Sequence, residues 1–272
     1  MTVTESRLHM VNGATRLFGI IGDPIAQVKS PAVFNEKFHK LDKNAVMLPI
    51  HITPENFEFG IRGLKALENL DGIIVTLPYK NAVIEYVDEL LPAARRIGAV
   101  NAMRRESSGR WSGDMFDGQG FLGGLRAAGA DPKGLTVMLI GAGGAGSAIA
   151  DALADAKAKS IAIYDRAEEK ARRLAARVEK AHPLCPARAA SPTSQGIDVL
   201  INATPVGLAP SDGLPVELGN FRQDLFVADI VPRPDITPLL VRARESGCRT
   251  MDGQAMVAGQ ADAILRFFGI SN

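Results

Sequence analysis

The chain has 272 residues, longer than one average domain, so two compact lobes are expected. Apolar residues make up 46% and charged residues 22%, the balance of a water-soluble protein with an ample core. A formal net charge of +1, with no long basic run, excludes bulk nucleic-acid binding; two cysteines outside any CxxC exclude a disulfide framework.

Short apolar strands alternate with helical patterns along almost the whole sequence. Strands are expected at 17–21 (LFGII), 45–52, 72–78 (GIIVTLP) and 99–103 (AVNAM), with another at 111–114 (WSGD). Helical stretches lie between them at 31–41, 54–67 and 80–97, the last broken at Pro92. Alternation of this kind predicts βαβ units and parallel sheets covered by helices. A helix from Asp117 to Ala130 leads into a second series, with strands at 135–140, 160–165, 198–203 and 225–231. Helices cover about 144–157, 167–181 and 237–246, and the amphipathic stretch 256–269 follows. The reading is an N-terminal α/β domain (1–116) joined by the C-terminal helix (252–272), plus a Rossmann-type doubly wound parallel sheet (117–251), with a cleft between them.

The N-terminal sequence lacks the apolar core of an export signal, and the longest apolar runs are too short to span a bilayer. A cytoplasmic protein is expected, with no membrane or nucleic-acid partner. The four histidines are scattered, so no metal site is expected.

Three kinds of local chemistry stand out. GAGGAG at 141–146 follows an apolar strand and opens a helix, the context in which GxGxxG binds a dinucleotide. Gly141 permits the turn, Gly143 lets a pyrophosphate approach, and Gly146 allows close packing, with Gly144 and Ala145 between them. A plain glycine-rich turn is the competing interpretation. Asp165, about 20 residues beyond, suits a ribose 2′-hydroxyl and favours NAD, or else caps the next helix. Arg166 beside it could pair with the 2′-phosphate of NADP. The polar loop Asn202, Thr204, Pro205, Val206 ends another strand, where ligands of such folds bind, unless it is an ordinary connection.

Lys80 stands at an expected helix start, where the helix dipole opposes its charge and favours proton release; most lysines, however, are simply solvated. Asp117 opens a helix and reads alone as an N-cap, while Asn101 is a polar residue in an apolar strand, either internally satisfied or a ligand contact. In the first loop, GDPIAQVKSP, Ser30 suits an N-cap and Pro31 the first helical turn, a junction that offers donors to an anion.

In order, GDPIA…SP, VTLPYKN, RRIGAVNA, DGQGF, GAGGAG, NATPVG, DIVPRPDITPLL and DGQAMVAGQA resemble the shikimate dehydrogenases and their quinate-using relatives, over roughly residues 17–269. The resemblance implies an NAD(P)-dependent oxidoreductase acting on a cyclic hydroxy-carboxylate, as a monomer or homodimer. It makes Lys80 and Asp117 the acid–base pair and implies substrate contacts at Ser30, Thr76, Asn101 and Gln260. Gly253 joins the cofactor-contacting set by the same resemblance.

Departures from the family cluster on the substrate side. Where a His-Ser-x-Ser-Pro run is usual, this chain has Gln27, Val28, Lys29, Ser30 and Pro31. Ile74 stands in place of an asparagine, Met115 and Phe116 in place of Asn-Thr, Ala102 in place of a threonine, and Pro232 in place of a tyrosine. Each exchanges a polar contact for an apolar one, at about 1.5–3 kcal/mol per lost hydrogen bond to a charge. Retained chemistry with altered substrate choice is therefore expected. A relative acting on a less anionic polyol and a non-catalytic ligand sensor stay open as alternatives.

Overall fold

The computed structural model describes residues 11–209 and 211–270; the N-terminal segment on which the export-signal reading partly rests lies outside them. The chain opens with β1 (Arg16–Gly22), α1 (Ser30–Lys40), β2 (Ala45–His51), α2 (Phe57–Lys65) and β3 (Leu70–Val75). It continues through β4 (Glu89–Leu90), α3 (Pro92–Ile97), β5 (Ala102–Arg105), β6 (Trp111–Asp114) and α4 (Asp117–Ala127). These strands form one sheet in the order β2-β1-β3-β5-β6-β4. β1 runs parallel to β2 and β3, but β5 is antiparallel to both β3 and β6. The sheet is thus mixed, because an apolar run such as AVNAM carries no information on strand direction.

The second series is β7 (Thr136–Ile140), α5 (Gly144–Asp155), β8 (Ser160–Tyr164), α6 (Glu168–Ala181), β9 (Ala187–Ala189) and β10 (Val199–Asn202). It ends with β11 (Phe226–Asp229), α7 (Pro238–Glu245), β12 (Arg249–Met251) and α8 (Gly253–Phe267). Its sheet has the order β12-β11-β10-β7-β8-β9 with every pair parallel. The strand order reverses between β7 and β10, the point of a doubly wound sheet at which ligands sit beyond the carboxyl ends.

The second sheet is apolar on two faces, as helix-covered parallel strands require. Val137, Leu139, Ile161, Ile163, Val199 and Ile201 pack on one face of the second sheet, and Met138, Ile140, Leu200 and Val227 on the other. α8 leaves the second sheet and returns to the first, where Ile264, Leu265, Phe267 and Phe268 share a core with Phe18, Phe34, Phe38 and Met47. α8 crosses α4 at close range because the contact is made of small residues. A β-carbon at Gly120 would lie 2.6 Å from Met256 O, and one at Gly259 would lie 2.4 Å from Gly120 O.

The segment after Lys80 departs from expectation. Instead of a helix it forms a 3₁₀ turn at 82–86 followed by β4, whose two residues pair with β6. Val83 and Tyr79 are buried there, and Tyr79 stacks on Phe57 at 4.2 Å. Among the described residues, no helix is long and apolar enough to cross a membrane.

Candidate active site

A cleft of about 530 Å³ lies between the carboxyl ends of the two sheets. One wall comes from the 27–30 loop, the end of β3, Lys80 and Asn101; the other comes from the 141–145 loop, Asp165, Arg166 and the 203–206 loop. α4 contributes Asp117, and α8 contributes Gly253, Met256, Val257 and Gln260.

Asp117 organises the first wall. It is the first residue of α4 rather than its cap, which is Phe116, and it is 2% exposed. Oδ2 accepts from Lys80 Nζ, and Oδ1 accepts from Asn101 Nδ2 at 2.8 Å. Asn101 is oriented in turn by the backbone, since Phe116 N donates to its Oδ1 at 2.8 Å. Its Nδ2 also reaches Gln260 Oε1 at 3.0 Å, which leaves the Gln260 NH₂ group for a ligand. Four residues from distant parts of the chain thus make one hydrogen-bonded set, with the Gln260 NH₂ group as its open donor. Because no helix begins at Lys80, its ammonium is governed by Asp117 and not by a helix dipole.

The glycine-rich loop supplies the opposite wall and fits a dinucleotide. Gly141 has φ +105°, and a β-carbon there would lie 2.8 Å from Ala203 O. A β-carbon at Gly146 would lie 2.0 Å from Gly141 O, so only glycine lets α5 start so tightly against β7. At Gly143 a β-carbon would meet nothing within 4 Å, the open side that a pyrophosphate needs. At Gly144 it would sit 3.2 Å from Lys80 Cβ, so the acid–base wall directly abuts this loop.

Asp165 follows β8 and is not the N-cap of α6, a position held by Ala167 without a side-chain bond. Its Oδ2 accepts from Ala142 N at 2.9 Å and its Oδ1 from Ala167 N at 2.9 Å, so the carboxylate is held at the rim beside the loop. Asn202 differs from the expected cofactor contact. It is fully buried beneath the 203–206 loop, where Nδ2 donates to Val206 O and to Asp229 Oδ1, both at 3.0 Å, while Oδ1 accepts from Thr204 N at 3.0 Å. Asn202 shapes the loop that Thr204, Pro205 and Val206 present to the cleft. Asp229 completes this support, accepting from Thr237 Oγ1 at 2.6 Å and Val231 N at 3.1 Å. Burial pushes its carboxyl above the ordinary range, against the pull of those hydrogen bonds. Gly146 also lies below the cleft, in the packing role its motif position predicts.

At the mouth, α1 begins at Ser30 with Lys29 at the N-cap position making no side-chain bond to the helix, so Ser30 lines the cleft instead of capping the helix. Lys29 Nζ reaches across to Asp235 Oδ1 at 3.0 Å, tying the first loop to the connection between β11 and α7. Asp229, Asp235 and Thr237 all fall in the DIVPRPDITPLL run that belongs to the resemblance, but the run alone assigns them no role; the fold brings them into place.

Two family models match the chain: the shikimate dehydrogenase substrate binding domain at residues 20–103, and shikimate / quinate 5-dehydrogenase at residues 126–252. The shikimate dehydrogenase (NADP(+)) of Rubrobacter xylanophilus is 37% identical over 258 residues, covering 92% of this chain and 89% of that protein. The 5-ketofructose reductase of a Gluconobacter strain, solved ligand-free, is 34% identical with TM-score 0.79, covering 93% and 92%. The shikimate 5-dehydrogenase of Listeria monocytogenes, solved with shikimate and NAD, is 30% identical with TM-score 0.83, covering 97% and 94%.

Proposed function

Since the chain belongs to the shikimate dehydrogenase family, we propose that it interconverts shikimate, or a quinate-like cyclic hydroxy acid, and the corresponding 3-dehydro ketone, with NAD(P) as redox partner. The observation that carries this reading is the Lys80–Asp117–Asn101–Gln260 set placed against a dinucleotide-binding glycine loop.

The bound dinucleotide supplies or accepts the hydride. Lys80 handles the proton: its ammonium protonates the oxygen of the ketone as the alcohol forms, and its neutral amine takes that proton in the reverse direction. Asp117 holds the ammonium in place and balances its charge, and Asn101 fixes the second carboxylate oxygen so that the pair keeps one geometry. Gln260 offers its NH₂ group to a ring hydroxyl, Asn101 accepts from one at Oδ1, and Ser30 and Thr76 contact the opposite end of the substrate. The buried, paired polar groups make such a site preorganised, which is where enzymes gain most. On the cofactor side the preferred dinucleotide is NAD. A carboxylate at Asp165, pinned by two backbone donors, hydrogen-bonds a ribose hydroxyl and repels a 2′-phosphate.

General acid–base assistance contributes about 10²–10⁴-fold. Lys80→Ala is therefore expected to lower kcat for shikimate oxidation by that factor with the folded state preserved. Turnover within a few-fold of wild type would remove Lys80 from the mechanism.

A further inference from the structure

The substrate side of the cleft is built for hydroxyls and poorly built for a negative charge. Its wall between β1, β3 and the 230–232 segment is apolar: Ile20, Val28, Ile74, Val231 and Pro232 all line it. Ile20 and Ile74 belong to the packed core beneath, with Val28 set against the same cluster. Among the described residues that line the cleft, Ser30 and Thr76 bring hydroxyls from the first-domain side, whereas Tyr164 and Thr204 come from the dinucleotide side.

The cations lining the cleft are already balanced or lie elsewhere. Lys80 is bonded to Asp117, and Lys29 is bonded to Asp235 at 3.0 Å. Arg166 and Lys170 stand after β8, beside Asp165 at the dinucleotide wall. A carboxylate leaving water for the substrate side would find two hydroxyl donors and no unbalanced positive charge. Burying a charge without a partner is costly, whereas a neutral hydroxyl can donate as well as accept. The polar set suits that second case: Asp117 accepts, while Lys80 and the NH₂ group of Gln260 donate.

We propose that this site turns over uncharged polyhydroxy ketones and their alcohols, and that a carboxylate on the ring contributes little to recognition. The inference rests on the proposed roles of Lys80 and Asp117 and extends them to a second substrate class. In the reduction, the carbonyl carbon gains the hydride of a reduced nicotinamide dinucleotide as its C=O π bond breaks. The oxygen takes a proton from Lys80, and the neutral amine regains one from solvent, leaving alcohol and oxidised dinucleotide.

The test compares 3-dehydroshikimate with its carboxamide and with an inosose (a hydroxylated ring ketone lacking a carboxylate), using the full chain and following consumption of NADH or NADPH. The expected result is that the acid leads neither neutral ketone by more than about tenfold in kcat/KM, the ratio worth one strong contact. A larger lead for the acid overturns the inference. If that lead is lost with all turnover in Lys80→Ala, the proposed function stands while this inference falls. Absence of turnover of every substrate by wild type overturns both. Val28→Ser, which restores a donor, is expected to raise the acid-to-amide ratio by about tenfold. Asp235→Ala, at an exposed position, releases Lys29 toward the cleft and is expected to move the ratio the same way. A ratio unchanged in both variants counts against the pocket-wall argument.

Discussion

Gly259→Ala gives a direct reading of how the helix crossing supports the site. The added β-carbon would lie 2.4 Å from Gly120 O and 3.2 Å from Gly124 N, both backbone atoms that no rotamer change can move. Ordinary contact begins near 3.4 Å, so α4 and α8 must part by about 1 Å. Overpacking of this kind costs about 1–3 kcal/mol, and the helix propensity of alanine over glycine returns about 1 kcal/mol. A net loss of up to roughly 2 kcal/mol corresponds to a Tm lower by as much as about 8 °C at this chain length. The functional effect is larger, because α4 starts with Asp117 and Gln260 adjoins the altered residue. A misplacement of about 1 Å at reacting groups lowers kcat roughly 10²-fold. Thermal unfolding and initial rates on the same preparation measure both effects. Gly63→Ala in α2, where a β-carbon meets nothing within 4 Å, is the matched control. It is expected to gain about 0.5–1 kcal/mol with an unchanged rate. If Gly259→Ala is instead as stable as Gly63→Ala and keeps kcat within a few-fold, the close crossing does not position the site.

Two further predictions concern charge. Asp165→Ser keeps a side-chain acceptor beside Ala142 N and removes the negative charge; the ratio of kcat/KM with NADP to that with NAD is expected to rise by more than about tenfold. An unchanged ratio sinks the assignment of NAD preference to this residue. Outside the cleft lining, Asp151 accepts from Arg96 Nη2 at 2.8 Å and from His182 Nε2 at 2.9 Å. Burial pushes its carboxyl up, but the hydrogen bonds from Arg96 and His182 outweigh it and hold the group below its ordinary value. A carboxyl lowered in the folded state contributes stability above its unfolded value of about 3.9, and that contribution is lost as pH falls through the folded value. Urea unfolding between about pH 7 and pH 3 is expected to show this loss, and Arg96→Ala to flatten it. At neutral pH that variant costs about 1 kcal/mol, a modest figure because the guanidinium is 45% exposed. Identical pH slopes for the two proteins would exclude Asp151 as the source.

The sequence revealed most where local pattern and local structure coincide. The strand–glycine–helix junction at 141–146 and the alternating elements of the second series depend on neighbours within a few residues, and they appear close to their expected bounds. Three-residue β9 and β12 carry no apolar pattern, and pairing alone makes them strands. The segment 80–91 failed as a helix because burial of Tyr79 and Val83 and the pairing of β4 with β6 outweigh a weak period. The site itself was legible residue by residue but not as geometry. Asn101 and Gln260 lie 159 positions apart, and no spacing rule anticipates that one amide would orient the other. Asp117 looked like a cap because caps and catalytic carboxylates share a position at helix starts; the cap is Phe116, which leaves both Asp117 oxygens to side chains.

The return of α8 has a consequence for how the protein is made. Phe268 packs 5.1 Å from Phe18, and a β-carbon at Gly72 would strike its ring, so the first sheet cannot seal one face until the last helix has been synthesised. The second sheet uses only residues between Thr136 and Met251 and is complete earlier. At about 5–20 residues per second, the roughly 150 residues separating β6 from Phe268 take on the order of ten to thirty seconds to emerge. During that interval the first sheet waits with Phe18, Phe34 and Phe38 uncovered, and the second sheet is itself completed only once Met251 has been added, shortly before Phe268. The newborn chain is then most exposed to chaperones and to aggregation at its beginning, although that is the part translated first.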